Sequence, residues 1–204
     1  MTRALGIIAG AALILLFAML MIVVMPALQM QSQSHPSAGL KPYSAQALRG
    51  RQVYVSLGCV YCHSQQPRDP SQAPDGKRGW GRPAVPGDYA YDSPHLLGTM
   101  RTGPDLLNIG ARQPSQDWHL AHLYNPRALV PGSIMPAFPF LFRQSDVVGP
   151  TDVVVKLPAG YGPATEHLIA LPAALDLVQY LKELDRTYPT AAIPERTQSG
   201  GSHD

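Results

Sequence analysis

Hydrophobic positions along the chain fall into one unbroken run followed by several short periodic ones. From Ala4 to Met25 no residue is charged and hardly one carries a polar side chain. The run from Leu5 to Met25 is about 21 residues, roughly 31 Å as a helix, which matches the hydrocarbon core of a bilayer. A cleaved signal would have a shorter apolar core, about 7–15 residues, and small residues at the cut. Here the run leaves through Met25-Pro26-Ala27-Leu28-Gln29, so an uncleaved anchor is expected. Arg3 and the terminal amine precede it and no Lys or Arg follows until Lys41, which puts the N-terminus inside and the remainder outside.

Beyond the anchor, Gln29 to Pro42 is polar and rich in Gln, Ser and Pro, the composition of a tether. Ser44 to Leu57 reads as a helix, with Ser44 as cap, Val53, Tyr54 and Leu57 at helical spacing, and Gly58 as the stop. Gln66 to Pro94, dense in Pro, Gly and Asp, reads as loop. Gln116 to Tyr124 is a short helix stopped by Asn125-Pro126. Val130 to Phe142 is extended, with prolines at 131, 136 and 139. Asp152 to Leu157 alternates weakly and pairs with His167 to Leu171 across the Pro158–Pro163 turn. Pro172 to Leu184 carries the clearest amphipathic helix, with Leu175, Val178 and Leu181 beside Leu177, Tyr180 and Leu184. The resulting division is an anchor at 1–28, a tether at 29–43, a domain at 44–188 and a polar tail at 189–204.

Composition narrows the class. The 204 residues carry a formal charge of +2, only 15% charged side chains, 21 prolines and 18 glycines. No basic run is interleaved with aromatics, so nucleic acid is not expected as a partner. The only two cysteines are Cys59 and Cys62, in Cys59-Val60-Tyr61-Cys62-His63. That is the spacing of haem c attachment: two thiols two residues apart reach the two vinyl groups of one porphyrin, and the following histidine becomes an axial ligand. A thioredoxin-type pair would need a surrounding βαβ pattern, a zinc site a second CxxC, and a plain disulfide would leave His63 without a role. One covalent haem c, held by Cys59, Cys62 and His63, is the reading these residues favour.

The sixth ligand must come from downstream. Met100 and Met135 are the thioether candidates, and His95, His119 and His122 compete with them. Met135 is favoured because Pro136 restricts it to extended backbone, which presents the sulfur rigidly. Met100 lies in a Gly-Thr flanked turn. His119 and His122 share one helix face, a spacing that also suits an ordinary hydrogen-bonded pair.

Several motifs now align in order. Thr102-Gly103-Pro104-Asp105-Leu106 resembles the TGPxL loop of class I cytochromes c. Tyr91-Asp92-Ser93-Pro94, Arg101 to Leu106 and Asp117 to Phe138, together with Cys62-His63-Ser64-Gln65, are similar to the monohaem subunit II of cbb-type cytochrome c oxidases, the FixO/CcoO family. The sequence departs from it where Gln66-Pro67-Arg68 follows CHSQ, and where Lys77-Arg78-Gly79-Trp80-Gly81 replaces an RYG motif. The resemblance implies a mainly α fold: one N-terminal transmembrane helix and an all-α, loop-rich class I cytochrome c-like haem domain, its terminal helices crossing closely at Gly50, Tyr54 and Tyr180. It implies that the Pro104 carbonyl accepts from His63 and that Arg112 lies near a haem propionate. Arg101 and Arg127 are further candidates for propionate or partner contacts, and Trp118 for a propionate hydrogen bond or for core.

The function implied is an electron-transfer subunit in a bacterial inner membrane, with its haem domain on the periplasmic side. It would receive electrons from another c-type cytochrome and pass them to a large membrane-embedded haem–copper catalytic subunit, without bond chemistry of its own. Gly6, Ala9 and Gly10 would allow a close helix contact with that subunit. The alternatives are the small cytochrome c subunit of a nitric oxide reductase-like complex, a free anchored shuttle exploiting the tether, and a haem sensor or small peroxidase with an open sixth position.

Overall fold

The first helical stretch runs from Thr2 to Gln33 as α1 (Thr2–Met19), a π-helical turn at Leu20–Val24, and α2 (Met25–Gln33). In the π turn the Met25 N–H bonds the Leu20 carbonyl, five residues back. Pro26 follows directly, with no N–H to give and a ring that would strike a carbonyl one tight turn earlier, and the widened turn accommodates it. The segment Arg3–Gln31 is long and apolar enough to cross a membrane, and its side chains are unburied. The computed structural model describes residues 2–33, 35–66, 78–163 and 167–190. The tail from 191 onward and the part of the expected 66–94 loop at 67–77, which includes Pro67, Arg68 and Lys77, lie outside these residues.

The rest is mainly helical, as the sequence implied. Helix α3 (Ala45–Ser56) starts at Ser44, whose Oγ accepts from the Ala47 N–H at 3.1 Å, and stops at Gly58, where φ is +74°. A single turn, α4 (Cys59–Cys62), follows. After a 3₁₀ turn at Pro86–Tyr89 come α5 (Ile109–Arg112), α6 (Gln116–Tyr124) and α7 (Pro126–Leu129). A second 3₁₀ turn at Pro139–Leu141 leads into β1 (Phe142–Ser145), which pairs antiparallel with β2 (His167–Ala170), and α8 (Pro172–Glu183) closes the domain.

The core forms where α3 crosses α8. A Cβ at Gly50 would run into the Asp176 carbonyl oxygen and lie 2.9 Å from Tyr180 Cβ, so the two backbones touch there. Tyr54 and Tyr180, both buried, meet edge to face at 5.4 Å, and Tyr43 lies 5.5 Å from the same Tyr180 ring. At the surface Arg49 bonds Asp176 at 2.9 Å and Ser44 bonds Glu183 at 2.6 Å. Gly110 of α5 presses on the Lys182 carbonyl in the same way and donates to Leu184 O at 3.0 Å. Leu120 and Leu123 of α6 complete the cluster.

Two sequence expectations change. His167–Ala170 pairs chiefly with Phe142–Ser145, while Asp152–Leu157 adds only a Val154–Ile169 bridge on its other edge. The reason is burial: Leu168, Ile169 and Ala170 are all buried, so β2 is the middle of three segments and has no solvent face for alternation to mark. The stretch read as a tether is also structured. Gln29–Gln33 is helical, and Ser37 is tied to the domain through its N–H on Gly87 O (3.1 Å) and its hydroxyl on Asp88 (3.0 Å). Asp88 is buried, and it also takes hydrogen bonds from Arg82 (2.7 Å), Tyr188 (2.9 Å) and the Val85 N–H (2.9 Å). Burial opposes its charge, yet these donors hold its carboxyl below the usual carboxylate range.

Gly50→Ala should lower the urea midpoint by the equivalent of about 1–3 kcal/mol, because backbone has to move. Gly132→Ala, where a Cβ meets nothing within 4 Å, should stay within about 0.5 kcal/mol. His119 gives a pH prediction. It is 2% exposed, and its Nε2 donates to Gln113 O at 2.8 Å. Burial pushes its pKa down to about 4 from 6.5. Its folded pKa lies below the unfolded one, so its contribution is intact above pH 6.5 and is lost as pH falls toward 4, a change of about 3 kcal/mol. His119→Gln should flatten the acid limb of stability across that window, measured by denaturation at stepped pH.

Candidate functional site

The site begins where Gly58 turns the chain out of α3. Its left-handed backbone lets α4 start at once, with the Tyr61 N–H on Gly58 O (3.0 Å) and the His63 N–H on Cys59 O (2.9 Å). Cys59 and Cys62 sit three apart on one turn as free thiols, the first half-buried and the second exposed. Burial pushes the Cys59 thiol up to about 11. Among the described residues no group of three or more His, Cys, Asp or Glu side chains is placed to hold a metal ion.

His63 is oriented from three directions. Its Nδ1 lies 2.7 Å from the Pro104 carbonyl oxygen. A carbonyl only accepts, so the proton is on Nδ1 and Nε2 keeps its lone pair for a metal. Tyr54 donates to the His63 carbonyl at 2.6 Å, and the Gly103 N–H donates to Cys62 O at 3.0 Å. Burial lowers the His63 pKa, against the Pro104 bond that raises it. A Cβ at Gly103 would lie only 2.1–2.6 Å from three atoms of the imidazole ring, so the glycine is needed for this approach. The sequence reading gave Pro104 a role and passed over Gly103 beside it.

Met135 is half-buried and packs against the same apolar core cluster as Cys59, Val60 and Leu106. Its loop is held by Arg127, whose Nη1 donates to Ser133 O (3.1 Å) and Met135 O (3.2 Å), by the Met135 N–H on Ser133 Oγ (3.2 Å), and by the Phe138 N–H on Leu123 O (2.9 Å). Met100 is placed differently. Its side chain is 54% exposed and its carbonyl accepts from the Ser64 N–H (3.3 Å) and hydroxyl (2.6 Å), next door to His63. It therefore lies on the histidine side. Of the competing histidines, His119 is committed to Gln113 O, and His122 stacks on Trp118 at 4.6 Å and 9°.

The remaining predicted residues are spread around this centre. Arg112 lies over the Trp80 ring at 4.2 Å, and Arg78 approaches the same ring at 4.9 Å. Trp80 carried no signal beyond its place in a variant motif. Trp118 is engaged with both His119 and His122. Arg101 points inward, its Nη2 on Asp105 at 2.9 Å and its Nη1 on the carbonyl of Ser64 and on Ser64 Oγ at 2.9 Å. Asp92 of the YDSP motif is buried against Arg51 at 3.2 Å, a structural ion pair.

The donor set fits a haem: a histidine with Nδ1 anchored and Nε2 unprotonated, a glycine that clears its ring, a thiol pair on the adjoining turn and a thioether in the same apolar cluster. No curated protein matches the chain. Residues 2–158 match the family described as "Cytochrome C oxidase, mono-heme subunit/FixO". The match spans the apolar helix, the Cys59–His63 turn, the Pro104 loop and the Met135 loop, and ends before β2 and α8. The chain belongs to this family of mono-haem cytochrome c oxidase subunits.

Proposed function

We propose that the chain is a membrane-anchored electron carrier whose single haem c is bound covalently through Cys59 and Cys62 and ligated by His63 and Met135. When bound, the haem supplies a one-electron couple. The chain's own residues do the rest. Pro104 fixes the tautomer of His63 and strengthens it as a ligand, Gly103 lets the ring lie flat against the loop, and Arg127 holds the Met135 loop. With His63 and Met135 both holding the iron, the chain would leave oxygen no position to bind there. Trp118 and Arg112 flank this centre as candidates for contact with the haem edge.

The electrons pass to a membrane-embedded haem–copper catalytic subunit of a cbb-type oxidase and arrive from another c-type cytochrome. The haem domain faces the periplasm, with the anchor packed against the catalytic subunit. The observation that carries this reading is the His63–Pro104 bond at 2.7 Å beside Cys59 and Cys62. A disulfide or thioredoxin-type pair has no use for a histidine oriented in this way, and a zinc site, which could use it, would want a second CxxC that the sequence does not contain. The free-shuttle alternative draws less support, because Ser37 is bonded to the domain and leaves little slack.

Met135→Ala should open the sixth position: the ferrous protein should bind one carbon monoxide per haem and the midpoint potential should fall. An unchanged optical spectrum would remove Met135 as ligand. Purification of the protein from native membranes in mild detergent should bring haem b and copper with haem c. Non-haem iron without copper would move the complex to nitric oxide reduction, and haem c alone would restore the shuttle.

A further inference from the structure

The loop that carries Pro104 and the turn that carries His63 are far apart in sequence and meet through the His63 Nδ1–Pro104 bond (2.7 Å) and the Gly103 N–H on Cys62 O (3.0 Å). Arg101 spans the same gap. Its Nη1 donates to the carbonyl of Ser64 and to Ser64 Oγ (2.9 Å), on the residue after His63. Its Nη2 donates to Asp105 Oδ2 (2.9 Å), on the residue after Pro104. Asp105 is itself fixed, since its Oδ1 accepts from the Leu107 N–H at 2.8 Å. Ser64 is buried and held further by its hydroxyl on Gly98 O at 2.7 Å. The guanidinium and the carboxylate are 16% and 11% exposed, so this is an inward brace and not a solvated surface charge.

We propose that Arg101 is a positioning residue for the axial histidine: its guanidinium clamps Ser64 to Asp105 and thereby sets the His63 Nδ1–Pro104 hydrogen bond. This rests on the haem reading above. It departs from a role for Arg101 at a propionate or a partner, because both arms of the guanidinium are taken by the chain. A planar fork can hold two acceptors at once, whereas a lysine ammonium in its place is a single point donor. Loosening the clamp lengthens the Nδ1–Pro104 bond. The imidazole then becomes a weaker electron donor, and the oxidised iron is less stabilised.

The test uses full-length protein in detergent. Arg101→Lys keeps the charge and removes the fork. The exchange of the His63 Nδ1 proton with solvent, followed by NMR in the reduced diamagnetic state, should accelerate by about tenfold or more. The midpoint potential should rise, with circular dichroism and haem content as in the parent protein. Asp105→Asn removes the other end of the clamp without loss of volume and should move both readouts in the same direction; it decides the matter if Arg101→Lys does not accumulate. Unchanged exchange and potential in both variants would overturn the proposal. So would a shifted potential with parental exchange, which is the signature of a direct charge or propionate contact. A parent protein with no haem-bound His63 signal would remove the haem reading itself, whereas failure of the variants alone removes only the role of Arg101.

Discussion

The backbone contact between Gly50 and the Asp176 carbonyl is the constraint on which the rest of the domain depends. It sets the distance between α3 and α8, and so the space in which Tyr54 and Tyr180 meet. Tyr54 then has a fixed position from which its hydroxyl reaches the His63 carbonyl at 2.6 Å, and the hydroxyl of Tyr180 accepts from Gln65 Nε2 at 3.0 Å. Both bonds reach the segment just after the cysteine pair. The helix crossing therefore acts on the site directly: moving α8 by one Cβ would displace the groups that position the ligand. The phenols are held neutral for the same reason, since burial drives the Tyr54 and Tyr180 pKa values upward.

The two faces of the centre are built by different means. The histidine face is a hydrogen-bonded lattice in which Ser64, Gly98, Met100, Arg101, Pro104 and Asp105 are tied to one another over short spans. The methionine face is a proline-rich loop with its backbone fastened by Arg127 and by one bond to Leu123 O. The rigid histidine side would suit the proposed electron carrier, because a centre that changes shape little between oxidation states transfers electrons with little reorganisation. It also explains why a loop-rich sequence suffices here. Few residues are in regular structure around the site, yet the backbone groups of the histidine face find partners in side chains and carbonyls nearby.

What the sequence made legible were features encoded locally. The apolar run, the Ser44 cap and Gly58 stop of α3, the proline start of α8 and the CxxCH turn each depend on a few adjacent residues. The haem reading also followed from spacing, and the Pro104 role from resemblance. The features that escaped are non-local. The middle position of β2 follows from burial on both edges, which an apolar tetrapeptide cannot disclose. Arg101 was read as a candidate for a propionate or partner contact, and its inward bonds escaped because Ser64 lies 37 residues away in sequence. Gly103 looked like part of a motif until a ring was found against its Cα. The anchor helix ran past Pro26, where local rules stop a helix, because a π turn absorbed the proline.

The same non-locality changes the picture of how the domain meets its partners. As composition, 29–43 reads as a flexible tether able to carry the domain away from the membrane. In the fold, helix persists to Gln33 and the chain is bonded to the domain again at Ser37, with Gly39 against Tyr188. Four peptide units span on the order of 14 Å at full extension. That is the whole reach available unless the Ser37–Asp88 and Ser37–Gly87 bonds break, and Asp88 is held by Arg82 and Tyr188 as well. So short a link would give the proposed haem domain little room to swing away from its anchor. Such a short link suits the family of mono-haem oxidase subunits to which the chain belongs.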